Sequence, residues 1–341
     1  MTLNEIKNKL NSTEYDFLRT NEHLGNNIIL LALGGSYAYG TNTETSDIDI
    51  RGIALNSKKE ILLNQNFEQV TDNPTDTTIY SLYKMISLLC NCNPNTIEIF
   101  GCKPDHYFYV SPIGQELLNN KEMFLSKRCI KTFGEYASSM LYRAKQKEAH
   151  GMLQEELEKH ILKTINHMNT HFNEKYTPFD KDNINLYIDE SNGEYPTEIF
   201  MDIQLTHYPL RDYCNLWNEL NNVVKSYNTL GKRNKHALEH DKMSKHLEHL
   251  VRLHLMGIDL LERKEIITYR EKDHDLLMEI RNGKYVTENN EILPELYEIV
   301  NDLENRFDYA AENTDLPDEP DYDRINEFVM SVNERIIKEE I

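Results

Sequence analysis

Two short segments near the start of the chain constrain its fold more than anything else in it. Ile28 to Leu33 is an unbroken apolar run, closed by Gly34-Gly35-Ser36. Ten residues further on, Asp47-Ile48-Asp49-Ile50 alternates acid with apolar and continues through Gly52-Ile53-Ala54-Leu55. A compact apolar run bounded by turn residues reads as a buried strand, and strict alternation reads as a strand with one face on the core. The β-branched and aromatic run Thr77 to Tyr80 predicts a third strand. From Ser81 to Leu89, the side chains of Leu82, Met85, Ile86 and Leu89 share one helical face, and Asn93-Pro94-Asn95 stops that helix. Ahead of these elements, Leu3, Ile6, Leu10, Phe17 and Leu18 fit helical spacing with an interruption near Asn11-Ser12, and Gly25-Asn26-Asn27 is a turn.

Beyond about residue 126 long amphipathic segments dominate: Lys131 to Met168, Leu210 to Leu230 and Asp241 to Arg263. Ile184 to Gln204 is more extended, with Asn192-Gly193 as a hairpin signal. From Asn301 to Ile341 the chain carries 13 acidic and 4 basic residues, with a loop at Leu316 to Pro320 and a final helix over Arg324 to Ile337. Three parts are therefore expected. Residues 1–125 form a core of sheet and flanking helices, residues 126–300 a mainly helical domain with an extended hairpin near 184–204, and residues 301–341 an acidic C-terminal segment.

At 341 residues the chain is long enough for two domains and a sizeable core. No run approaches the ~20 apolar residues of a membrane-spanning helix. The start, Met1-Thr2-Leu3-Asn4-Glu5, lacks the basic and apolar regions of a secretion signal. A cytoplasmic protein with no membrane partner is expected. The net charge of −20 opposes binding of nucleic acid by the surface as a whole, but leaves a local basic track open. Lys225 to His254 holds seven Lys or Arg against three acids, with Lys232, Arg233 and Lys235 clustered beside Gly231. This stretch is either an RNA-binding track or a solvated helix face. The five cysteines are odd in number and form no Cys-x-x-Cys pair, so buried free thiols are expected. His167 and His171, His236 and His240, and His246 and His249 have helical spacing but no accompanying zinc motif, and read as solvated or RNA-facing.

The chemistry concentrates in Gly35-Ser36 and Asp47-x-Asp49. On a strand, period two puts Asp47 and Asp49 on one face and Ile48 and Ile50 on the other. Two carboxylates so close repel unless a cation neutralises them, and hard oxygen ligands select Mg²⁺ or Mn²⁺ over zinc. Upstream, glycine lets a phosphate approach the backbone, and the Ser36 hydroxyl with nearby N–H groups can hold an anion. Together these parts describe a site for a metal and a triphosphate.

The combination of strand, Gly35-Ser36, ten residues and Asp47-x-Asp49 resembles the DNA polymerase beta-like nucleotidyltransferase superfamily. The finer pattern, Gly35-Ser36-x-Ala38-Tyr39-Gly40-Thr41 followed by Ser46-Asp47-x-Asp49-x-Arg51-Gly52, is similar to the predicted nucleotidyltransferases associated with RNA-repair operons of bacteria and phages. The likeness continues in Asp76 to Lys84 and Asn93 to Glu98, and more loosely in Lys245 to Leu253 and Leu276 to Gly283. It implies an α+β fold: a small mixed β-sheet flanked by helices, followed by a mainly helical domain that closes over the nucleotide. It also implies a third carboxylate on a neighbouring strand. Asp76 fits that position best, with Asp72 and Glu98 as alternatives. Gly35, Ser36, Tyr39 and Arg51 are the expected nucleotide-binding residues. Arg51 would contact phosphate or tie down a carboxylate, and the rings of Tyr37 and Tyr39 would stack on a base or simply pack. Tyr142-Arg143-Ala144-Lys145 lies where relatives place a cation for the triphosphate.

The implied activity is transfer of a nucleoside monophosphate from an NTP, ATP as first choice, to a hydroxyl acceptor with release of pyrophosphate. Asp47 and Asp49 would hold two Mg²⁺ ions and Asp76 would ligate the second. An RNA 3′ end, as in a tRNA-like substrate, is the first acceptor. The alternatives are a protein-nucleotidylating enzyme of the toxin–antitoxin type and a nucleotide-binding regulatory module without turnover.

Overall fold

The computed structural model describes residues 1–148, 158–159, 161–162, 165, 172, 175–180, 183–190, 197–230, 240–287 and 291–340. The chain divides into two compact units. The first comprises Met1–Ser139, Glu248–Asn282 and Glu295–Ile341, and the second Met140–Leu247 and Gly283–Pro294. The sheet-bearing unit thus draws on three separate stretches of chain.

The first unit is built on a five-stranded mixed sheet. Its strands are β1 (Ile28–Gly34), β2 (Asp49–Ala54), β3 (Gln69–Asp72), β4 (Thr77–Ser81) and β5 (Tyr107–Val110), in the order β3-β4-β2-β1-β5. Only β2 and β4 pair in parallel. Every residue of β1 is buried, as its unbroken apolar run requires of an interior strand. On β2 the alternation holds where it matters. Ile50 is fully buried while Asp49 and Arg51 share the opposite, partly exposed face. Leu30, Ile50, Ile53 and Ile79 are all fully buried, each contributing about 1.5–3 kcal/mol of apolar transfer energy.

The expected strands at 28–33, 47–55 and 77–80 are present. One boundary differs: β2 begins at Asp49, so Asp47 and Ile48 precede the strand rather than lie within it. Two edge strands, β3 and β5, escape the apolar pattern, since Gln69-Val70-Thr71-Asp72 is largely polar and Tyr107–Val110 is short. The helix Leu82–Cys90 follows β4 directly, with the Ser81 hydroxyl capping it by accepting from the Lys84 N–H at 3.1 Å. Asn93-Pro94-Asn95 ends that helix and also starts another. The Asn93 side chain accepts from Asn95 N–H and caps the short helix Pro94–Ile97, which delivers Glu98 into the core.

In the second unit β6 (Ile184–Glu190) and β7 (Thr197–Ile203) form an antiparallel ribbon. Ile161, Ile165, Phe172, Ile184, Leu216 and Leu220 form its core with the helix Leu210–Leu230. The expected turn at Asn192-Gly193 lies outside the described residues. The long helices at Arg128–Glu148 and His240–Arg263 and the terminal helix Tyr322–Lys338 correspond to amphipathic stretches of the sequence. Among the described residues no helix is long and apolar enough to cross a membrane. All five cysteines are free. Cys90, Cys92 and Cys129 are buried, Cys102 is half-buried with burial pushing its thiol up to about 12, and Cys214 is exposed.

Candidate active site

The β1–β2 register builds the site. Gly34 pairs with Asp49 and Ala32 with Arg51. Immediately after β1 the chain turns into a five-residue helix, Gly35–Tyr39. Gly35 has φ +56°, and a Cβ there would lie 1.9 Å from Asp49 Oδ2. Only glycine permits both the backbone and the close approach of that carboxylate. Ser36 is half-buried, and its hydroxyl makes no hydrogen bond among the described residues. Gly35, Ser36 and Asp49 are therefore brought together.

Asp47 is exposed, two residues before Asp49, and forms no ion pair or hydrogen bond among the described residues. Asp49 is held by Arg51, whose Nη2 donates to Asp49 Oδ1 at 2.9 Å. The same nitrogen lies 3.4 Å from Asp76 Oδ1, and Nη1 donates to the Asp76 carbonyl at 2.6 Å. Asp76 is placed by the parallel pairing of β2 with β4, in which Ile50 N–H donates to the Asp76 carbonyl. It adopts φ +46°, a left-handed conformation that Asp tolerates better than most residues, and its side chain is 55% exposed.

The two alternative acids are otherwise engaged. Asp72 caps the turn Asn73–Thr75, its Oδ2 accepting from the Thr75 N–H at 3.1 Å and hydroxyl at 2.8 Å. Glu98 is buried. Its Oε1 accepts from the Tyr39 hydroxyl at 2.7 Å and its Oε2 from Arg252 Nη1 at 3.0 Å.

Tyr39 is packed rather than open to a base. The Arg252 guanidinium lies 3.6 Å from its ring centroid and His249 meets it edge-on. Burial, opposed by Arg252 and reinforced by Glu98, pushes the Tyr39 phenol well above its ordinary range. The hydroxyl accordingly donates to the Glu98 carboxylate. Tyr37 is buried as well. Arg252 belongs to the basic stretch in the sequence but is only 1% exposed, so it adds nothing to a surface track. Lys232, Arg233 and Lys235 lie outside the described residues, as do the side chains of Tyr142 to Lys145. The Glu98–Arg252 pair carries no motif of its own. Its two members fall in separate stretches of the likeness, Asn93 to Glu98 and Lys245 to Leu253.

The donor chemistry is that of hard oxygen ligands: carboxylates, one of which, Asp49, lies against the glycine turn. Yet among the described residues no three His, Cys, Asp or Glu side chains are grouped as a metal site. A guanidinium, not a cation cluster, balances Asp49 and Asp76 here. Asp49 and Asp76 share the Arg51 guanidinium, and Asp47 stands two residues before Asp49 with an exposed side chain.

No curated protein and no solved structure matches the chain. Residues 4–188 match the family model described as RlaP, RNA repair pathway DNA polymerase beta family. That span covers more than half of the chain and contains Gly35, Ser36, Asp47, Asp49, Arg51, Asp76 and Glu98. On that match, joined to a mixed sheet with the glycine turn and acidic strand in register, the chain belongs to the RNA repair pathway DNA polymerase beta family of nucleotidyltransferase-type proteins.

Proposed function

We propose that the protein transfers a nucleoside monophosphate from an NTP to a hydroxyl at an RNA 3′ end, releasing pyrophosphate. The observation that carries the reading is the Gly34–Asp49 register, which sets a carboxylate against the backbone turn at Gly35. The Gly35 and Ser36 backbone N–H groups and the Ser36 hydroxyl bind the β- and γ-phosphates. Asp47 and Asp49 hold Mg²⁺ or Mn²⁺, with Asp76 completing the set. The metal supplies charge neutralisation on the triphosphate and lowers the pKa of the attacking hydroxyl. Arg51 turns from the carboxylates to the triphosphate as the site fills. Support for an RNA acceptor comes from the family's link to RNA repair.

The test is label transfer from each [α-³²P]NTP in Mg²⁺ to RNAs ending in a 3′ hydroxyl. Labelled RNA and released pyrophosphate are expected. Label on a protein acceptor would move the assignment to protein nucleotidylation, and tight NTP binding without transfer would move it to a regulatory module.

A further inference from the structure

The phosphate loop is one helical turn, too short to hold its own shape. Its C-terminal end is fastened by residues from Glu248–Asn282, a stretch far from it in sequence and outside the span matched to the family. Tyr39, the last residue of the turn, is clamped at its hydroxyl and over its ring. Its hydroxyl donates to Glu98, Arg252 covers its ring, and Arg252 also donates to the second Glu98 oxygen. Gly40 follows with φ +78°, and a Cβ there would lie 2.2 Å from Tyr269 Cε2. The Gly40 carbonyl accepts from His274 Nε2 at 2.9 Å, so that nitrogen carries the proton. Tyr269 is itself stacked on His274 and capped by the Lys103 ammonium, 3.5 Å from its centroid. The connection to the loop is direct: Gly40 N–H donates to the Tyr37 carbonyl, and Thr41 N–H donates to the Ser36 carbonyl at 2.9 Å.

We infer that Arg252 and His274 are positioning residues for the phosphate loop, and that the His274–Gly40 hydrogen bond sets the loop's affinity for nucleoside triphosphate. This rests on the reading of Gly35 and Ser36 as the phosphate-binding residues. His274 touches neither of them. It fixes Gly40, whose neighbour Thr41 holds the Ser36 carbonyl, and so the orientation of the turn that presents the Ser36 hydroxyl.

The experiment compares His274→Leu, which removes the donor, with His274→Gln, which keeps an N–H at similar reach. Equilibrium binding of ATP, GTP, CTP and UTP in Mg²⁺ is read beside amide exchange at Gly40 and Thr41 and the melting temperature. The Leu variant should bind the preferred NTP roughly fivefold more weakly, the effect of one lost hydrogen bond. Its Gly40 and Thr41 amides should exchange faster while the melting temperature barely moves, and the Gln variant should restore both. Wild-type NTP affinity in the Leu variant overturns the inference. So does a weakening that comes with a global fall in melting temperature and no rescue by Gln, since that describes a merely structural contact. If the wild-type protein itself binds none of the four NTPs, the reading of the loop has failed along with the inference built on it. Faster exchange in the Leu variant would then report a brace on a loop that does not bind nucleotide.

Discussion

Arg51 Nη2 sits 2.9 Å from Asp49 Oδ1, two residues away on the same face of β2, and from there it also reaches Asp76, the residue just before the neighbouring strand β4. The guanidinium neutralises these carboxylates, and on the proposed metal-binding reading a divalent cation would compete with it for the same oxygens. Arg51→Gln should therefore tighten Mn²⁺ binding by about tenfold, or ~1.4 kcal/mol, as a positive charge leaves the site. Electron paramagnetic resonance of Mn²⁺ titrated into the nucleotide-free protein measures this directly. An unchanged or weaker affinity would falsify the competition.

The Gly35 turn makes a separate demand. Gly35→Ala forces an L-residue into a left-handed conformation, a cost of about 1–2 kcal/mol. It also drives a methyl into the Asp49 carboxylate. Both NTP and Mn²⁺ binding should fall in this variant. Ser36→Ala, which leaves the backbone alone, should weaken NTP binding by about 1–2 kcal/mol and spare Mn²⁺. Titration calorimetry of the two variants separates the effects, and equal losses of NTP and Mn²⁺ binding in Ser36→Ala would contradict the assignment.

These two residues and the acids were legible because their signals are local. An unbroken apolar run, a glycine pair and an alternating acidic segment each announce themselves within a few residues, and β1, β2 and β4 stand where those signals fall. The polar edge strand β3 gave no such signal, because one face of an edge strand needs no apolar residues. Neither did the fastening of the loop. Glu98 and Arg252 are separated by 154 residues and Gly40 and His274 by 234, so no spacing rule could pair them. The sequence leaves Tyr39 between stacking and packing for the same reason: the cation that covers its ring, Arg252, lies far from it along the chain.

The buried His254 gives the protein a pH dependence unrelated to the site. Its Nδ1 lies 3.0 Å from the Leu250 carbonyl and its ring packs edge-on against Phe307. Burial, opposed by the Leu250 carbonyl and Asp308, holds its pKa below the ordinary histidine value. The unfolded chain then takes up a proton more readily than the folded one. The associated stability is complete above about pH 6.5 and is lost as pH falls toward the lower folded-state value. Urea unfolding of His254→Phe should show a smaller drop between about pH 7.5 and pH 5 than wild type, with a residual slope from His106, whose pKa burial also lowers. An identical pH slope in the two proteins would remove His254 from the account.

Asp76, Asp72 and Glu98 can be told apart by what each holds up. Asp76→Asn keeps a residue that tolerates the left-handed backbone and removes only a 55% exposed charge. It should melt close to wild type yet lose transfer activity. Asp72→Ala removes a turn cap, costing about 1 kcal/mol, and should retain transfer. Glu98→Gln removes the carboxylate paired with the buried Arg252 guanidinium and leaves Glu248 as its neighbouring acid, which should cost about 1.5–3 kcal/mol and loosen Tyr39 as well. Melting curves and label transfer, measured on all three, separate a carboxylate that works on substrate from two that hold the fold. Should Glu98→Gln stay stable and inactive while Asp76→Asn stays active, Glu98 takes the place of Asp76 as the third catalytic acid.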